Sequence, residues 1–252
     1  MNSATVRNLL VRGMLAGLAA GVLALVVAYF LGEPNVDSAI GFEEAHAPAH
    51  EHEVELVSRS LQSTAGLATG VLVYGVAFGG IAALAYCFAL GRVGRFGPRA
   101  TALLLSGAAL LAVYVVPFLK YPANPPAVGD HDTIAKRTTL FFLMMLLGVL
   151  LAIAAVIAGK RLAPRLGTWY ATVVAVLGFV TLIGLAYAFL PAINEVPADF
   201  PATLLWRFRL STLALQITLW TGFGLVFGEL AERLLNPKPV QAPARAAVTV
   251  PQ

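Results

Sequence analysis

Charge is what this chain is short of. Only 12% of its 252 residues are Asp, Glu, Lys or Arg, where a soluble domain carries about 25%. The shortage is concentrated. Gly13–Gly32, Ser60–Gly91, Ala100–Leu119, Thr138–Gly159, Leu166–Asn194 and Leu210–Gly228 contain no charged residue at all. Each window is long enough for the ~20 apolar residues of helix that cross a bilayer's hydrocarbon core. Lipid offers no partner to a backbone amide, so each window is expected to be a helix that satisfies its own hydrogen bonds.

Other absences narrow the function. Cys87 is the only cysteine, so no internal disulfide staples the bundle. None of the windows holds a His, Asp, Glu, Lys or Arg. That leaves no axial histidine for a haem within the spans, no intramembrane acid or base for a proton relay and no catalytic base at depth. No GxxxxGK[ST] string is present, so any use of ATP requires another protein. The chain is not expected to be an enzyme, to hold a tightly bound cofactor or to bind nucleic acid. The apolar run from Met14 to Leu31 exceeds a signal-peptide core of ~7–15 residues, and it reads as a retained anchor.

What remains is an all-α, polytopic bundle of six spans at about residues 10–31, 64–90, 101–119, 139–158, 169–190 and 208–228 within a membrane domain over residues 1–236. An even count puts both termini on one side. That side carries Arg7, Arg12, Arg92, Arg95, Arg99, Lys160, Arg161, Arg165, Arg233, Lys238 and Arg245, against Arg59, Lys120, Lys136, Arg137, Arg207 and Arg209 on the other. The excess of basic residues makes the termini cytoplasmic. Of the thirteen acids, only Glu229 and Glu232 fall inside, and an acidic outer surface concentrates cations. The segment 237–252, rich in Pro and Ala, reads as a disordered cytoplasmic tail.

The outer connections carry the unusual chemistry. The first, a loop over residues 33–59, places Glu43, Glu44, His46, His50, Glu51, His52 and Glu53 within eleven positions. His46 and His50 share a face if the segment is helical, and His50 and His52 do so if it is extended. Imidazole with carboxylate suits divalent cobalt, nickel or zinc; without a nearby Cys, a thiolate zinc site is excluded. The plain alternative is an acidic, solvated linker. Asp130 with His131 is a second, weaker pair, and Asn124, Asn194 and Glu195 are candidates to line an outer vestibule. Seven prolines in or beside the second and third connections stiffen the backbone there.

Small residues are expected to set the packing. Gly13, Gly17 and Gly21 recur every four residues, as do Gly66 with Gly70, Gly75 with Gly79, and Gly224 with Gly228; this spacing lets helices approach closely. Arg207 and Arg209 are expected to snorkel to the headgroups, with Trp206, Trp169 and Tyr170 as interfacial belt residues.

Several long strings are specific rather than generically apolar: LVRGMLAGLAAG followed by GEPNVDSAIGFEE, then VSRSLQSTAGLATG, VPFLKYPANPPAVGD and LPAINEVPADFPATLLWRFRLS. In these the chain resembles the CbtA family of predicted bacterial cobalt transporter subunits over nearly its whole length. The resemblance implies Co²⁺ as cargo, a place in the bacterial inner membrane, an association with cobalamin synthesis and a small one-span, histidine-bearing CbtB-like partner. The family is usually described with five spans, where the windows here number six. A different class of reading is a non-transporting anchoring or assembly subunit whose outer loops bind another protein.

Overall fold

A computed structural model describes residues 2–46, 57–130 and 132–237. Among them there is no strand, and five helices are long and apolar enough to cross a membrane. We number these α1 (Ser3–His46), α2 (Arg59–Ala89), α3 (Pro98–Lys120), α4 (Ile134–Phe189) and α5 (Ala202–Leu235). The fold is that of a polytopic membrane helix bundle.

The five helices accommodate the six windows because α4 contains two of them and bends back. Gly167 interrupts it with φ of 76°, a left-handed conformation that costs a residue with a side chain about 1–2 kcal/mol. Pro164 lies just before the break. Met144 and Ile183 would be almost 60 Å apart along a straight helix, yet they share one apolar cluster with Val116 and Tyr121. A Cβ on Gly159 would stand 3.5 Å from that of Ala175, so the two halves of α4 pack on each other as a hairpin.

The first connection differs from the expected loop. Residues 33–46 continue α1 as helix, and 47–56 lie outside the described residues. Pro34 does not end the helix, because a π-helical stretch over Ala28–Gly32 precedes it. Proline has no N–H and crowds the carbonyl four residues back, and a wider turn relieves both. The same device recurs in α3, where Leu110–Val115 is π-helical ahead of Pro117. A third π stretch, Gln62–Gly66, opens α2 without a proline behind it.

The interior is built by α1, α2, α3 and α5. Gly17 and Gly13 lie against Gly75 and Gly79: a Cβ on Gly17 would come within 2.8 Å of the Gly79 Cα, and one on Gly75 within 2.6 Å of the Gly17 oxygen. The expected glycine ridge is thus an intramolecular seam between α1 and α2. Gly66 and Gly70 take no part in it; a Cβ on Gly70 would meet nothing. Beside the seam, Phe78, Phe223, Phe227 and Tyr86 stack edge to face and face to face, and Tyr86 and Phe227 are wholly buried. Gly224 and Gly228 bring α5 onto Ser106 and Ala102 of α3. Of the hydroxyls within the windows, those of Tyr86 and Tyr187 donate to the Pro98 and Val116 oxygens of α3 and so bridge helices; Thr172 and Thr218 bond back to carbonyls four residues earlier in their own helices, and the buried Ser106 Oγ has no partner among the described residues.

Candidate functional site

Basic and acidic groups gather at opposite ends of the bundle. At one end Arg12 donates to the Leu230 oxygen at 2.6 Å, Lys160 to the Arg92 oxygen at 2.7 Å, and Arg99 and Arg233 each reach Glu229 at 2.7 Å. The Arg233 hydrogen bond, aided by Arg99, holds the Glu229 carboxyl below its ordinary range.

At the acidic end the three connections fold together into a cap. Ala39, Val128 and Phe200, one from each connection, form a small apolar cluster with Phe42, Val196 and Leu204. Phe42 packs edge-on to Phe200 with ring centroids 5.0 Å apart and stacks on His46 at 4.1 Å. The His46 Nδ1 lies 2.8 Å from the Phe42 oxygen, and its Nε2 is 3.7 Å from Asp199, both side chains being more than half exposed. Glu33 and Asp37 on the helical extension of α1 hold Arg59 at the start of α2, with Asp37 at 2.9 Å.

The sequence candidates fare unevenly in this cap. Glu43, Glu44 and His46 lie on the extension of α1 and are exposed. His50, His52 and His131 lie outside the described residues. Among the described residues no three His, Cys, Asp or Glu side chains are grouped as a metal site. Asp130 is exposed and accepts from the Asp132 N–H at 2.9 Å, an Asx turn. Asn194 is exposed and caps the Val196 N–H.

Asn124 and Glu195 do come together, in a part-buried cluster. The Glu195 side chain is 3% exposed. It accepts from Asn124 at 3.1 Å and from the Thr133 hydroxyl at 2.6 Å, and it faces Arg137 at 3.4 Å. Arg137 donates to the Pro122 oxygen. Arg209 donates to the Ala123 oxygen at 3.2 Å and to Asn124 at 3.1 Å. Arg209 therefore does not snorkel outward; it turns in and fixes the second connection. Arg137 and Arg209 are the members that sequence reasoning missed. The available signal was an acid, Glu195, in a largely apolar proline-rich string, because a carboxylate buried there requires a cation or several donors. Chemically the cluster is a closure. It ties both ends of the α4 hairpin to α5, with its carboxylate already satisfied.

Taken together, the glycine-seamed bundle and its folded cap define a multi-span membrane protein whose polar chemistry lies outside the apolar windows. A family model described as "Probable cobalt transporter subunit (CbtA)" matches residues 6–232, and the chain belongs to the CbtA family. No curated protein and no solved structure matches it.

Proposed function

We propose that this chain is a membrane subunit of a Co²⁺ uptake transporter that gathers the ion at its acidic cap and passes it inward. The observation that carries this reading is the family match over residues 6–232. Supporting it is the sorting of charge: the cap exposes Glu43, Glu44, Asp130 and Asp199 with His46, and carboxylates concentrate divalent cations at a surface. In this reading the bundle crosses a bacterial inner membrane six times, with the α4 hairpin counting twice and the basic end, including both termini, in the cytoplasm. His50, His52 and His131 would add ligands to the capture surface. The satisfied Glu195 is assigned a structural role. A small one-span partner would complete the transporter.

One observation favours a second reading, a non-transporting anchoring subunit: the apolar windows contain no His, Asp, Glu, Lys or Arg to receive an ion at depth. Cobalt accumulation against external concentration separates the two. Cells with the protein should accumulate more at scarce cobalt, and replacing His46, His50 and His52 by Ala should reduce that gain at matched membrane levels. In acid, where imidazole is protonated and no longer a ligand, the parent's gain should shrink toward that of the variant. Equal accumulation with and without the protein would leave the anchoring reading.

A further inference from the structure

Next to the Glu195 cluster, between the end of α3 and the start of α4, is a cavity of about 210 Å³. Tyr114, Phe118 and Phe141 supply aromatic walls, and Arg137 and Thr138 stand at its rim. Its depth follows from the sequence: α3 leaves its apolar window at Leu119 and α4 enters its own at Thr138. In a membrane the cavity therefore straddles the boundary between headgroups and hydrocarbon.

The charge around it is unbalanced. Arg137 faces one carboxylate, Glu195, at 3.4 Å, and Arg209, bonded to the Ala123 and Asn124 oxygens, adds a second cation close enough to repel Arg137. Lys120, close by at the end of α3, is turned to the Tyr187 oxygen at 2.9 Å. A guanidinium has five N–H donors in a planar fork suited to phosphate. The structure accounts for Arg137 with one bond to Pro122 and one contact to Glu195. A surplus cation above aromatic walls complements an amphiphile with a negative head and an apolar tail; it repels a metal ion, and inorganic phosphate would leave the walls uncovered.

We propose that this cavity binds an anionic phospholipid, its phosphate on Arg137 and an acyl chain against Phe118 and Phe141. The proposal rests on the membrane placement given above. Binding would draw Arg137 toward the headgroup and so bear on the closure at Glu195.

The test uses the full chain extracted in detergent, with retained lipid counted by native mass spectrometry after adding phosphatidylglycerol or phosphatidylcholine. Both lipids offer a phosphate, but the choline cation of phosphatidylcholine is repelled by the surplus positive charge, so phosphatidylglycerol should be retained roughly tenfold better, about 1.4 kcal/mol. Arg137→Gln should erase the preference. Because that change also unpairs Glu195, Thr138→Trp serves as a second variant: it fills the cavity from its exposed rim and should lower retention of the anionic lipid without touching the cluster. Arg207→Gln, on an exposed residue outside the cavity, should change nothing. Equal retention of the two lipids, a preference that survives both cavity variants, or full displacement by inorganic phosphate would each overturn the lipid site. Recovery of the chain without detergent would instead overturn the membrane placement.

Discussion

In the most apolar stretch of α4 only 11% of residues are buried within the protein, whereas in α5, the least apolar of the five helices, the share is 39%. In a soluble protein the ranking would run the other way. Lipid tails are as apolar as leucine, so hydrophobicity alone gives two helices no reason to meet. The hairpin turns Phe142, Leu146, Leu150, Val176, Leu177 and Val180 outward, and these side chains are solvated by lipid. The buried face of α5 is made of Ser211, Gly222, Gly224, Gly228 and close-fitting Phe223 and Phe227, which hold neighbours by shape. Sequence apolarity in this molecule marks the surface, and small residues mark the interior.

The glycine seam gives the largest effect with which to break that contrast. In Gly17→Leu the new side chain meets backbone of α2, which cannot swing away. Overpacking costs about 1–3 kcal/mol in ordinary cores, and this variant should lie at the upper end, with a sharp fall in folded protein extracted from the membrane. Gly178→Leu, in the hairpin where a Cβ meets nothing, should stay within about 0.5 kcal/mol of the parent. Equal thermal midpoints for the two variants would show that small residues do not mark the interior.

A smaller effect tests how firmly the hairpin is fastened. Glu195→Gln leaves Arg137 without its carboxylate. Hydrogen bonds to charged groups contribute about 1.5–3 kcal/mol, and Arg137 is 24% exposed, so about 2 kcal/mol is expected. The loss should be local. A cysteine introduced at Ala135, on the first turn of α4 beside the cluster, should label faster, while Cys87, which packs on the α1–α2–α5 core, keeps the parent rate. Faster labelling at both would show that hairpin and core unfold as one unit.

The smallest effect lies at the basic end. Glu229 has a depressed pKa from Arg233 and Arg99, so its contribution is present above the ordinary carboxylate pKa and is lost as pH falls through its own lower value. The Glu229 side chain is 39% exposed, so solvent screens the pairing and the effect is correspondingly slight. Stability measured from neutral to acid pH should fall a little less steeply in Glu229→Gln than in the parent; identical slopes would assign the pairing no thermodynamic part.

The helical bundle and the glycine seam were legible in the sequence because both rest on local rules, the length of charge-free windows and a four-residue spacing. Asn124 and Glu195 were legible as residues and not as a cluster. Arg137 sits two residues past Ala135 in an exposed turn of helix and Arg209 beside Arg207, and a basic residue at a window's edge carries the same sequence signal whether it points to headgroups or to a buried acid. The extension of α1 was hidden by Pro34, Gly41 and a run of acids, all of which favour a loop; the π turn that carries the helix past the proline has no sequence mark of its own. His50, His52 and His131 lie outside the described residues, so the capture surface rests on composition.

The unbroken course of α1 from Ser3 to His46 has a mechanical consequence. At 1.5 Å per residue it is a rod of roughly 66 Å, fixed in its lower half by the seam at Gly13 and Gly17 and carrying Glu43, Glu44 and His46 at its tip, where Phe42 packs on the cap. Its upper 14 residues, Glu33–His46, form an arm of about 21 Å beyond the π turn. A tilt of roughly 10° about that turn would sweep the tip by about 4 Å, the order of one side chain's reach. The same arm makes the reverse conversion: a force applied at the cap arrives at the close glycine seam between α1 and α2 with leverage already built in.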